Sequence, residues 1–227
     1  MGEISFSPTF WALAALGVAA AAAYGLYYLR QPQSWMRAIV KTAFMGALAG
    51  ALVMAGAPSL LVFAALASAA GDFFLAFDKK WLLPFGIVAF LLAQTAYFLI
   101  FSFFWFEGPD GSPLAPRYAA MGLIAATTVM FLLWMAPKLK WMAIAVVPYA
   151  LAITAMAAMA MWIPWAGWPA MLGAASFVVS DFVLATELFR LAPDAPARRW
   201  TAPVVWWTYA AAQALIVWGV LKLAAAT

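Results

Sequence analysis

The chain has no cysteine and no histidine among its 227 residues. Without cysteine there is no disulfide framework, no thiolate nucleophile and no cysteine zinc site. Without histidine the Ser-His-Asp triad is excluded, and no imidazole acts as general base. Charge is nearly as scarce. Twelve Lys and Arg with eight Asp and Glu make up 9% of the residues, against roughly 25% in soluble domains. So few charges cannot cover a water-soluble domain of this length. What fills the sequence is apolar: 69% of the residues are hydrophobic, and the mean hydropathy is +0.99. In such a chain the pI near 9.5 reads as basic loops facing anionic lipid headgroups rather than as a nucleic-acid surface.

A helix that spans a bilayer needs about 20 mostly apolar residues. Cutting at clusters of charge, proline and glycine gives eight runs, at about 9–29, 35–55, 58–77, 81–106, 117–136, 140–161, 168–190 and 202–223. The connections are short, the longest running from Glu107 to Pro116 through Gly108, Pro109, Asp110, Gly111 and Pro113. The expected fold is therefore an all-α integral membrane protein, one polytopic transmembrane domain over residues 1–227 built as a bundle of about eight helices. The first run lacks a preceding basic residue and does not read as a secretory signal. Basic residues orient the bundle. Arg30, Arg37, Lys41, Lys79, Lys80, Lys138, Lys140, Arg190, Arg198 and Arg199 fall on one side, Arg117 and Lys222 on the other. That asymmetry predicts both termini outside and basic loops in the cytoplasm, as in a bacterial inner membrane protein.

The sequence also echoes itself. Gly71-Asp72-Phe73-Phe74-Leu75-Ala76-Phe77-Asp78 and Ser180-Asp181-Phe182-Val183-Leu184-Ala185-Thr186-Glu187 share a small-Asp-Phe-apolar-Leu-Ala-x-acid pattern. Each is followed in the next run by Ala-Gln, at Ala93-Gln94 and Ala212-Gln213. A parallel four-plus-four duplication is one reading, and chance similarity in a low-diversity apolar chain is the other.

Asp72 and Asp181 are the informative residues. A carboxylate within a span costs about 2.5–3.5 kcal/mol on insertion scales and persists where it lines a polar cavity or has a partner. Lys41, Gln94 with Tyr97, Tyr149, and Tyr209 with Gln213 lie at similar depth toward the cytoplasmic side. One polar cavity opening to that leaflet accommodates them all, and helix packing or interfacial anchoring is the structural alternative for the tyrosines. Asp78 and Glu187 are weaker candidates, Asp78 beside two lysines and Glu187 within reach of Arg190 at i+3. Trp105, Trp162, Trp165 and Trp168 read as outer bilayer anchors. Gly46 and Gly50 form a GxxxG pattern for close helix contact.

Several of these segments resemble the YhhN family of membrane lysoplasmalogenases. They are Lys41, Gly71-Asp72, Gly86 to Tyr97 (GIVAFLLAQTAY), Tyr149 to Met156 (YALAITAM), Gly173 to Asp181 (GAASFVVSD) and Tyr209 to Val217 (YAAAQALIV). The GIVAFLLAQTAY stretch is similar to that family's G-x3-F-x3-H-x2-Y segment, with Gln94 where the family commonly has histidine. Glutamine hydrogen-bonds but does not titrate. If the family's histidine does acid-base work, this chain does without it or has a changed activity; if it only positions substrate, glutamine can take its place.

The resemblance implies cleavage of the vinyl ether of a lysoplasmalogen, giving a fatty aldehyde and glycerophospho-ethanolamine or -choline. Such a reaction protonates the distal vinyl carbon, forms an oxocarbenium ion and captures it with water as a hemiacetal that collapses to aldehyde. Two carboxyls in unlike surroundings divide the work, one protonated and one ionised. Asp181, the deeper, is expected as the acid and Asp72 as its ionised partner, with the reverse assignment open. Lys41 is a candidate for the substrate phosphate. Gln94, Tyr97, Tyr149, Ser180, Tyr209 and Gln213 are candidates to bind substrate. The expected partners are a lysophospholipid and membrane lipids, with no cofactor, metal or nucleic acid. Intramembrane acids and amides also suit a small-molecule or lipid transporter, a second reading with a different readout, flux without product.

Overall fold

A computed structural model describes residues 6–77, 79–105, 107–192 and 194–226. Asp78, one of the weaker acidic candidates, lies outside them. The described residues are helical: α1 Pro8–Leu26, α2 Trp35–Met54, α3 Ser59–Leu75, α4 Leu83–Phe103, α5 Leu114–Leu139, α6 Ala143–Ala160, α7 Trp168–Phe189 and α8 Arg198–Ala226. Among the described residues, six segments are long and apolar enough to cross a membrane. One of them, Leu114–Ala160, holds both α5 and α6, while α3 is shorter, at 17 residues. Side chains such as Val18, Met130, Leu133 and Ile144 are exposed, the outward apolar face that lipid covers and water does not.

Local chemistry sets the helix starts. Ser7 and Ser34 accept from the backbone N–H groups of Phe10 and Arg37, at 3.2 and 3.1 Å, and so cap α1 and α2. Pro8 and Pro169 stand in opening turns that need no N–H from them. The same property moves two expected boundaries. The expected runs start at 117, after Pro116, and at 202, yet α5 begins at Leu114 and α8 at Arg198, with Pro116 and Pro203 near the starts of their helices.

The chain divides into two compact units, one through Tyr97 and one from Phe98. In the first, α1 and α2 approach at Gly17, where a Cβ would stand 3.2 Å from the Phe44 carbonyl oxygen. The expected GxxxG contact is not at Gly46, which has nothing within 4 Å of that position. α3 and α4 interlock in antiparallel register. A Cβ at Gly71 would meet the Phe90 ring at 2.6 Å, and one at Gly86 would meet the Leu75 side chain at 2.5 Å.

In the second unit, α7 and α8 touch backbone to backbone. A Cβ at Gly173 would lie 2.7 Å from the Ala212 carbonyl oxygen, and one at Gly219 2.4 Å from the Ala170 nitrogen. Small residues permit this approach, as in membrane helix pairs generally. Ser176 and Ser180, one turn apart on α7, donate to the carbonyls of Thr208 and Val205 on α8 at 2.8 and 3.0 Å. At one end of this unit Arg117 is buried and donates to the carbonyls of Met161 and Ile163 (2.8 and 2.7 Å) and to Ser112 Oγ (2.6 Å). The Trp165 N–H donates to Asp110 Oδ2 at 2.9 Å, and the Trp105 and Trp162 rings stack at 5.2 Å.

Candidate functional site

The expected polar residues fall into two groups, one in each unit. In the first, α2 brings Lys41 and α3 brings Asp72. Lys41 Nζ lies 3.6 Å from Asp72 Oδ1, with the two side chains 14% and 2% exposed. Asp72 is three residues from the end of α3 but buried all the same. Proximity to a helix end did not expose it, and Lys41 of α2 stands beside its carboxylate. The cation beside it is what makes a buried carboxylate tolerable.

α4 supplies the rest of this group. Gly86, Phe90, Gln94 and Tyr97 recur at helical spacing and share one face. Gly86 and Phe90 meet Leu75 and Gly71 of α3, and a hydrogen bond joins Tyr97 to Ser68. Gln94 therefore sits between the levels of Gly71 and Ser68, within a turn of Asp72. Its side chain is fully buried, and neither amide atom has a hydrogen-bond partner among the described residues. Buried amides are nearly always satisfied, which sets Gln94 apart from the other candidates.

The structure adds Arg37 and Tyr24, which the sequence reading did not place here. Arg37 Nη2 donates to the Tyr24 hydroxyl at 3.4 Å. The Arg37 guanidinium and the Lys41 ammonium each stand 5.9 Å from the centre of the Tyr24 ring, within cation–π range. The available sign was the i, i+4 spacing of Arg37 and Lys41, which was used only to orient the chain. Beyond these groups, at the ends of α2, α3 and α4, a cavity of about 490 Å³ is walled by Trp35, Phe73, Phe77, Trp81 and Phe85, with Lys79 at its edge.

In the second unit the Tyr149 hydroxyl of α6 donates to Asp181 Oδ2 of α7. Asp181 is half-buried and eight residues from the end of its helix. Ser180 beside it is buried, its proton given to Val205. Tyr209 is buried against the Phe177 ring in an edge-to-face pair at 5.6 Å, and Gln213, one turn along α8, is fully buried. Glu187 accepts from Thr201 of α8. Arg190 lies over the Trp134 ring at 3.9 Å and donates to the Trp134 carbonyl. Among the described residues no three Asp or Glu side chains gather as metal ligands.

Chemically, each unit offers a carboxyl held by a different kind of group, a cation in one and a phenol in the other. These unlike surroundings are the condition for unlike protonation.

The family model for the YhhN family matches residues 36–220. Two curated relatives, the lysoplasmalogenases of Mycobacterium bovis and Mycobacterium tuberculosis, are each 33% identical over 164 residues. That alignment covers 70% of this chain and 59% of the relative, so the chain spans less than two thirds of their length. No solved structure matches this chain.

Proposed function

The chain belongs to the YhhN family, and from that premise we propose that it is a membrane hydrolase that cleaves the vinyl ether of lysoplasmalogens. The observation that carries this reading is the 33% identity to relatives named lysoplasmalogenase. The intramembrane carboxyls Asp72 and Asp181 support it. In balanced form, the alkenyl ether and one water give a fatty aldehyde and a free glycerol hydroxyl.

The catalytic roles go to the two aspartates. Asp181, hydrogen-bonded by Tyr149, gives its proton to the distal vinyl carbon. Asp72, paired with Lys41, is the ionised group that favours the cation and takes a proton from water. Lys41 attracts the substrate phosphate, and Gln94 and Tyr97 in one unit and Tyr149, Ser180, Tyr209 and Gln213 in the other are the proposed contacts of the glycerol portion and the water. Ser180 can only accept there, since its proton is engaged. The aromatic cavity bounded by Trp35 and Phe85 is a place for the hydrocarbon chain.

The same reading has each of the eight helices crossing the bilayer in a four-plus-four repeat. It also places the termini outside and the basic loops in the cytoplasm of a bacterial inner membrane.

The test uses purified protein in mild detergent with lysoplasmenyl-ethanolamine, following aldehyde through a coupled alcohol dehydrogenase. Wild type releases aldehyde, and folded Asp72→Asn and Asp181→Asn variants each lose about 100-fold or more in kcat. A wild type that releases none with either headgroup, at any pH, ends the hydrolase reading.

A further inference from the structure

We propose that Arg37 and Lys41 form a phosphate clamp, which takes the phosphodiester of a single-chain phospholipid and sets its glycerol toward Asp72. The identity of the lipid rests on the reading above, while the anion site rests on the geometry of the first unit. Arg37 and Lys41 are four residues apart on α2, so they rise from one face with Cβ atoms about 5–6 Å apart. Both stand 5.9 Å from the Tyr24 ring, and the Arg37 bond to the Tyr24 hydroxyl fixes the guanidinium against α1. The ring is a common wall for two cations.

The donor balance points to an anion. Lys41 has three N–H donors, and the Asp72 oxygen at 3.6 Å is farther than a direct charge-assisted hydrogen bond. Gln94 brings a fully buried amide with no partner among the described residues. Guanidinium and ammonium thus share one aromatic wall, with the Asp72 carboxylate beside the ammonium. A phosphodiester offers only acceptors and a negative charge, which complements two neighbouring cations. The planar guanidinium forks onto two phosphate oxygens and the ammonium attracts as a point charge.

The spacing suits the substrate. Arg37 lies about 6 Å nearer the start of α2 than Lys41, at 1.5 Å per residue, and Lys41 touches Asp72. With the phosphate at Arg37 and Lys41, the ether end reaches toward the carboxylate.

The experiment measures equilibrium binding to the full chain in mild detergent. The probes are an acyl lysophosphatidylethanolamine, the monoacylglycerol of the same chain length, and inorganic phosphate. The proteins are wild type, Arg37→Gln, Arg37→Lys and Arg30→Gln, the last an exposed arginine outside the group. Wild type prefers the lysophospholipid. Arg37→Gln weakens that ligand about 10- to 100-fold and leaves the monoacylglycerol unchanged. Arg37→Lys falls between, and Arg30→Gln matches wild type. If Arg37→Gln does not fold, Arg37→Lys carries the comparison, since it keeps the charge and loses the fork. Equal affinity of wild type for the two lipids, or equal losses for both in the variants, overturns the clamp. Inorganic phosphate binding as tightly as the lysophospholipid overturns the lipid headgroup as its occupant. Binding needs no cleavage, so a phosphate preference without aldehyde release keeps the clamp and removes the hydrolase reading.

Discussion

Gln94 sets stability against function. A buried carboxamide with neither atom partnered costs the folded state the hydration of both, about 1–3 kcal/mol for each group left unsatisfied. Gln94→Leu removes that cost at similar volume. The apparent Tm in detergent is expected to rise by a few degrees while aldehyde release falls at least tenfold; a fall in both would make Gln94 a structural residue. Asp72 and Asp181 were legible because an acid inside an apolar run has few bland explanations. Arg37 and Arg117 were not. Each lies near a span end, where a basic residue is the common case, and sequence alone does not separate a headgroup contact from a directed bond. Ser180 was legible only as the neighbour of Asp181. That its proton goes to Val205 depends on how α8 packs, which no spacing in α7 encodes.

At the scale of helices, the α7–α8 pair depends on glycine. Gly173→Ala and Gly219→Ala each force a Cβ onto backbone atoms of the neighbouring helix, at 2.7 and 2.4 Å, where no side chain can turn aside. Each is expected to destabilise by about 1–3 kcal/mol, seen as a lower Tm, and Gly46→Ala, at a helical position where a Cβ meets nothing, does not lower it. The joint between α5 and α6 is the opposite case. Lys140 has φ 48° and ψ −130°, a conformation that suits glycine and strains a side chain. Lys140→Gly should therefore raise stability by up to about 1 kcal/mol, and a loss would mean that the lysine side chain holds the joint. The existence of the helices was plain from the apolar runs, but their ends were not. Pro116 cut α5 too short, because a proline near a helix start looks the same as one that ends a helix, and α8 starts four residues before the expected 202. The face of α4 that meets α3 was present in the resemblance as Gly86, Phe90, Gln94 and Tyr97. Its packing meaning needed the partner helix.

For the whole molecule, the absence of cysteine makes every introduced thiol unique. Lys80→Cys and Leu114→Cys, both at exposed positions, test the proposed orientation with a membrane-impermeant maleimide. Leu114→Cys reacts in intact cells and Lys80→Cys only after the inner face is opened. The reverse pattern would turn the bundle over and move the polar groups to the other leaflet. The proposed orientation rests on the distribution of basic residues alone, a rule of membrane insertion that coordinates do not carry.

The bonds of Arg117 also impose a timetable. Its carbonyl partners belong to Met161 and Ile163, 44 and 46 residues later. At about 5–20 residues per second, the ribosome makes them roughly two to nine seconds after the arginine. Through that interval the leading end of α5 carries a cation whose permanent acceptors do not yet exist. Headgroups, water or the insertion machinery must hold it until the end of α6 arrives, so this helix pair reaches its final form only as a completed hairpin.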